Sequence, residues 1–166
     1  RLESGTRYFR PKQQLPWRVT PDDPALSVMT DLSQVTALTT ELTTPLGKGL
    51  EIMVKRGIRI LLVCDADGHI IGLLTSRDID GVKPGRILAK AGGAWEDLRV
   101  ADIMTLRPKL ETLLMEDVRR ARVGDIIATL RRVDRQHALV VDTDPETGQP
   151  AVRGLFSLSQ IGLRLG

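Results

Sequence analysis

The chain repeats itself. Ser27-Val28-Met29-Thr30 returns as Asp102-Ile103-Met104-Thr105, an offset of 75 between Met29 and Met104. Leu46-Gly47-Lys48 to Leu50 aligns with Val123-Gly124-Asp125 to Ile127 at an offset of 77, and Asp65 aligns with Asp142 at the same offset. Gly72-Leu73-Leu74-Thr75 then meets Gly154-Leu155-Phe156-Ser157 at an offset of 82. Landmarks kept in one order, with two small insertions between them, point to two copies of a single unit. One unit of roughly 60 residues buries too little surface to be comfortable alone. The copies are therefore expected to pack side by side through their sheets.

Each copy has the same rhythm, β-α-β-β-α, which places the chain in the α/β (α+β) class. In the first copy Val35 to Leu38 is short and β-prone, and Thr44-Pro45 reads as an N-cap with proline at the first helical position. Leu46, Leu50, Met53 and Val54 follow at helical spacing until Gly57 stops the helix. Ile58 to Cys64 is a nearly all-apolar strand, Asp65 to Gly68 a turn, His69 to Leu74 a second strand, and a helix should run from Ser76 to about Asp80. The second copy repeats this with a helix through Val123, Ile126, Ile127 and Leu130. Strands at Ala138 to Val141 and Ala151 to Phe156 follow, with a closing helix from Leu158 to Leu163.

The organisation expected is an extended arm over 1–24, a first repeat over 25–81, a connecting segment over 82–99 and a second repeat over 100–166. In the connection Ile87, Leu88 and Trp95 are expected to lie against the surface. In the arm Tyr8, Phe9 and Trp17 are read as anchors.

Composition removes several functions. The chain of 166 residues has 3% aromatic content, which argues against a stacking platform for single-stranded nucleic acid. The formal charge is only +3, and the basic run Arg119, Arg120, Arg122, Arg131, Arg132 and Arg135 is interrupted by Glu116, Asp117, Asp125 and Asp134. Nucleic-acid binding is therefore not expected. Cys64 is alone, so no disulfide and no cysteine-based zinc site is available. There is no Ser-His-Asp arrangement, metal cluster or Walker-type loop, so no enzyme is expected and no metal. No apolar stretch approaches the roughly 20 residues that span a bilayer, and no signal peptide opens the chain. A cytoplasmic protein is expected, and a chain opening at Arg1 instead of Met is expected to be a processed form or a piece of a longer one.

The corner Gly72-Leu73-Leu74-Thr75-Ser76-Arg77-Asp78 holds the most chemistry. A strand turning directly into a helix should leave free backbone N–H groups around Ser76 to Asp78, which favour a phosphate. Thr75 can cap the helix or donate to a ligand oxygen. Asp78, one turn on, can accept two hydroxyls at once, which suits a cis-diol, and Arg77 offers a planar cation. The same residues also read as a capping box, with Thr75 as N-cap and Asp78 as its acidic third residue. Both readings stay open, and one geometry can serve both.

The succession Val-Met-Thr, helix, Gly57-Ile-Arg-Ile-Leu-Leu-Val-Cys-Asp65, short turn, Gly72-Leu-Leu-Thr-Ser-Arg-Asp78 resembles the cystathionine-β-synthase (CBS) domain, and two in tandem resemble a Bateman module. The resemblance covers about Ala25 to Gly166. It implies two repeats packed through their sheets about a pseudo-twofold axis, clefts between them, and pairing of modules into homodimers. It also implies a regulatory role, with AMP, ADP or ATP as ligand ahead of S-adenosylmethionine. The family's ribose-binding acid falls on Asp78 and its hydroxyl on Thr75, with Ser76 and Arg77 beside them. Adenine contacts fall near Ile58, Arg59 and Ile60 and near Thr36 and Ala37. In the second copy Ser157 keeps the hydroxyl, but Gln160 stands where the acid belongs. The first corner is therefore expected to bind and the second to be the weaker site. The alternative is a dimerisation or docking module with no nucleotide.

Overall fold

The computed structural model describes residues 18–166. Most of the arm expected over 1–24, with Tyr8, Phe9 and Trp17, lies outside the described residues. In chain order the elements begin with β1 (Thr30–Asp31), β2 (Thr39–Thr40), α1 (Leu46–Arg56), β3 (Ile60–Cys64), β4 (Ile70–Thr75) and α2 (Ser76–Asp80). Next come α3 (Lys83–Ala91), α4 (Val100–Ile103), β5 (Thr105–Leu106), β6 (Thr112–Leu114) and α5 (Met115–Arg120). The chain closes with α6 (Val123–Arg132), β7 (His137–Thr143), β8 (Pro150–Ser157) and α7 (Leu158–Arg164).

Two compact units result. A middle unit is Asp31–Thr112, and an end unit joins the chain up to Thr30 with Leu113–Gly166. Each has a four-stranded sheet, in the orders β2-β3-β4-β5 and β1-β8-β7-β6. The orders correspond strand for strand once the repeat is applied, but the edge strand of each sheet comes from the segment that opens the other repeat. Thr105 pairs with Leu73 and Leu106 with Gly72 in the middle unit, while β1 lies beside β8 in the sheet of the end unit.

The same crossing appears in the backbone. In the middle unit Leu46 N donates to Leu98 O and Val100 N to Thr44 O, both at 2.9 Å. In the end unit Val123 N donates to Asp23 O and Ala25 N to Ala121 O, also both at 2.9 Å. These bonds explain a correction. Thr44 does not cap α1: the N-cap is Pro45, with no side-chain bond. The first amide of α1 is satisfied by the Leu98 carbonyl instead, so no hydroxyl is needed there.

Burial follows the apolar spacing. Leu46 and Met53 of α1 pack with Leu61, Val63, Leu74, Ile79, Val100, Ile103 and Met104 in the middle core. Ala25 and Val28 pack with Val118, Val123, Ile126, Leu130, Val140, Phe156 and Ile161 in the end core. Val19 joins the latter, only 2% exposed, through its bridge to Leu165.

Gly57 ends α1 at φ 63°, with its N–H turned back to Met53 O and Val54 O. A left-handed residue costs an L side chain about 1 kcal/mol. Nothing lies within 4 Å of a Cβ built there, so Gly57→Ala should destabilise by about 1 kcal/mol in denaturant unfolding, from backbone strain alone.

Three expectations are corrected. The first strand is Thr39–Thr40, not Val35 to Leu38. Asp31 Oδ1 accepts from Ser33 N at 2.9 Å and Ser33 Oγ at 2.6 Å, and Asp31 O accepts from Gln34 and Val35 amides. This turn takes up the Val35 amide, at the start of the expected strand. β3 begins at Ile60, because the Ile58 amide still closes α1 on Met53 O at 3.0 Å. The segment 82–99 is more than a connection, since Lys83–Ala91 is helical with Pro84 in the first turn, where its missing N–H costs nothing. Ile87, Leu88 and Trp95 from it pack against the middle core.

Candidate functional site

The Thr75 corner stands where β4 passes into α2. Ile60 pairs with Thr75 across β3 and β4, and Thr39 pairs in parallel with Leu62 across β2 and β3. That register brings the stretch through Thr36 and Ala37 to the end of the sheet where Ile58 to Ile60 and Thr75 to Asp78 meet. All three candidate segments thus share one end of one sheet in the middle unit. Ala37, Ile58 and Ile60 are half-buried, whereas Thr36, Arg59 and Arg77 are exposed.

The corner is internally bonded. Asp78 N donates to Thr75 Oγ1 at 3.2 Å, and Thr75 N donates to Asp78 Oδ2 at 3.0 Å, which makes a complete capping box. Ser76 N donates to Arg59 O at 2.9 Å. The expected cradle of free amides is therefore corrected: of the three N–H groups from Ser76 to Asp78, two are committed within the protein. What faces outward is chemistry of another kind. The Asp78 carboxylate is half-buried with one oxygen in the cap, so its second oxygen can accept a ligand hydroxyl. Arg59 and Arg77 flank the Ser76–Arg59 bond, and among the described residues neither pairs with a carboxylate.

The second corner differs. Leu158 N donates to Gln136 O at 2.9 Å, the counterpart of Ser76 on Arg59, and His137 pairs with Ser157 where Ile60 pairs with Thr75. Ser157 is buried, makes no cap, and shares a 3.0 Å hydroxyl contact with Ser159. Gln160 is exposed. No capping box holds this corner, and Gln160 stands in place of the acid.

Other features of the chain lie apart from the corner. A cavity of about 340 Å3 is lined by Pro45 and residues 96–99 of the middle unit and contains none of the candidate residues. Ligand atoms of Asp65, Asp67 and His69 lie within 4.8 Å of one another, a juxtaposition the sequence reading missed. They belong to the turn between β3 and β4, where Asp65 Oδ1 accepts the amides of His69 at 2.9 Å and Asp67 at 3.0 Å. Those bonds, the His69 amide foremost, hold the Asp65 carboxyl below its usual range. Burial, and secondarily the neighbouring Asp65, pushes the half-buried Cys64 thiol up, away from nucleophilic character.

The basic run is partly neutralised. Arg119 and Arg153 reach Asp142 at 3.6 and 3.7 Å, Arg120 reaches Glu116 at 2.9 Å, and Arg122 reaches Asp22 at 3.6 Å. No helix among the described residues is long and apolar enough to cross a membrane.

Two small α/β units, each completed by the opening segment of the other repeat, define a tandem-repeat module. The CBS-domain family model matches residues 27–82 of this chain, the first repeat. Solved structures agree in fold. An uncharacterized conserved protein from Pyrococcus horikoshii superposes with TM-score 0.60 at 21% identity, covering 86% of this chain and 92% of that one. A CBS-domain-containing protein from Agrobacterium tumefaciens does so with TM-score 0.60 at 17% identity, covering 96% and 100%. CBSX2, solved in complex with AMP, gives TM-score 0.55 at 18% identity over 85% and 94%. Comparison with curated protein sequences gave no match.

Proposed function

We propose that the chain is a regulatory, non-catalytic module that binds an adenine nucleotide at the Thr75–Asp78 corner and signals the result to a partner or effector. The observation that carries this is the Asp78 carboxylate: fixed by the capping box through one oxygen, it keeps the other for a hydroxyl, inside the segment that matches the CBS domain. A pre-oriented acceptor loses little freedom on binding a ribose diol. Support comes from the three segments that converge on this end of the sheet, from Arg59 and Arg77 as cations for phosphate, and from the AMP complex of CBSX2. The second corner, with Ser157 and Gln160, is the weaker site because Gln160 offers one neutral acceptor oxygen.

A docking module without nucleotide is the second reading. It is favoured by the two amides already consumed at the corner, which leave the helix start complete without a ligand.

Thermal unfolding with AMP, ADP, ATP and S-adenosylmethionine separates the two. A ligand at 100 times its Kd should stabilise by about 2.7 kcal/mol, an upward Tm shift of about 5 to 10 °C for a chain of this size. The adenine nucleotides are expected to give the shift. No shift with any of the four would leave the docking reading.

A further inference from the structure

We propose that Lys83 is a latch through which the Thr75–Asp78 corner controls how firmly the segment Val100–Leu106 is held. Lys83 opens α3, and its half-buried Nζ donates to Ile103 O at 2.5 Å and to Met104 O at 3.1 Å. Those carbonyls end α4, where a cation is favoured by the orphan carbonyls and by the helix dipole. Bonds from an ammonium are stronger than neutral ones.

The latch closes a ring of contacts. From Asp78 the chain runs through α2 to Lys83 in five residues, and α2 packs on α3, which packs on α4. Beyond the Lys83 bonds, Met104 seats against Gly72, and Thr105 and Leu106 pair back onto β4. β4 then delivers Thr75 to the corner again. A ligand that tightens α2 therefore tightens the position of Lys83, and Lys83 in turn holds the segment that opens the second repeat. From Leu106 the chain continues to β6 and the end unit.

This reading rests on nucleotide binding at Asp78, and one experiment keeps the two apart. Hydrogen exchange at the amides of Met104–Leu106 is followed with and without saturating AMP in the wild type, Lys83→Met and Lys83→Arg, with Kd measured calorimetrically for each. AMP should slow exchange at 104–106 in the wild type. Lys83→Met should bind AMP within about twofold of the wild-type Kd yet lose that response, and Lys83→Arg, which keeps the charge and donors, should retain it. Equal protection by AMP in Lys83→Met overturns the latch.

Absence of AMP binding by the wild type sinks the nucleotide reading instead, and the ligand-free exchange then decides. Lys83→Met should open 104–106 about tenfold faster or more while Leu61–Val63 of β3 are unchanged. Unchanged exchange at 104–106 overturns the latch in that case too.

Discussion

Adding one methyl group at Gly154 should destabilise the protein by about 3 kcal/mol, a Tm fall of about 6 to 12 °C. A Cβ built on Gly154 would sit 2.7 Å from Met29 Sδ, 2.9 Å from Met29 Cγ and 2.7 Å from Thr30 O. The methionine end can swing aside. The carbonyl cannot, because it belongs to the segment laid along β8, so the edge strand must lift. Gly72 faces the same situation with Met104 Sδ and Thr105 O, both at 2.8 Å, and Gly72→Ala should cost a similar amount. Gly85→Ala is the control: nothing lies within 4 Å of its Cβ and the residue is in the first turn of α3, so it should stabilise by about 0.5 kcal/mol. Differential scanning calorimetry of the three variants reads all of these signs. A harmless Gly154→Ala would contradict the seating of Met29 and Thr30 on β8.

This pairing shows what a reader of the sequence could and could not have found. The Met-Thr and Gly landmarks are the most visible signs of the repeat, yet their spacing within one copy suggests that each copy is self-contained. The contact is crossed instead, Met29 on Gly154 and Met104 on Gly72, and an alignment of two copies carries no information about which sheet an edge strand joins. β1, β5 and β6 are two or three residues long, too short for an alternating pattern. α3 is hard to see in the sequence because Gly85 lies inside it and Gly92 and Gly93 follow at once, although Pro84 is harmless in a first turn and Gly92 lies beyond the helix end. By contrast α2 begins and ends where the Thr75 and Asp78 pattern places it, because its signal is local: a hydroxyl and an acid three residues apart. The same locality made the capping box legible. The loss of the Ser76 amide to Arg59 O was not, since that bond joins strands whose register no short motif encodes.

The second large effect falls on binding. Asp78→Asn retains an amide oxygen able to accept from Thr75 N, so the cap survives in geometry, while the charge and the second strong acceptor are lost. Hydrogen bonds to a charged group contribute about 1.5 to 3 kcal/mol each, and AMP affinity should fall about 100-fold. Asp78→Ala removes the cap as well and should add about 1 kcal/mol of instability. Gln160→Ala, at a corner with no box and no acid, should change affinity by less than about threefold. Comparable losses at the two corners would reverse their ranking.

Isothermal titration of AMP into the wild type and Asp78→Asn, with folding of both checked by circular dichroism, tests the central claim most directly. Saturable binding to the wild type that weakens about 100-fold in the folded Asp78→Asn variant is the result predicted. Binding of equal strength to both, or no heat with the wild type, would contradict it.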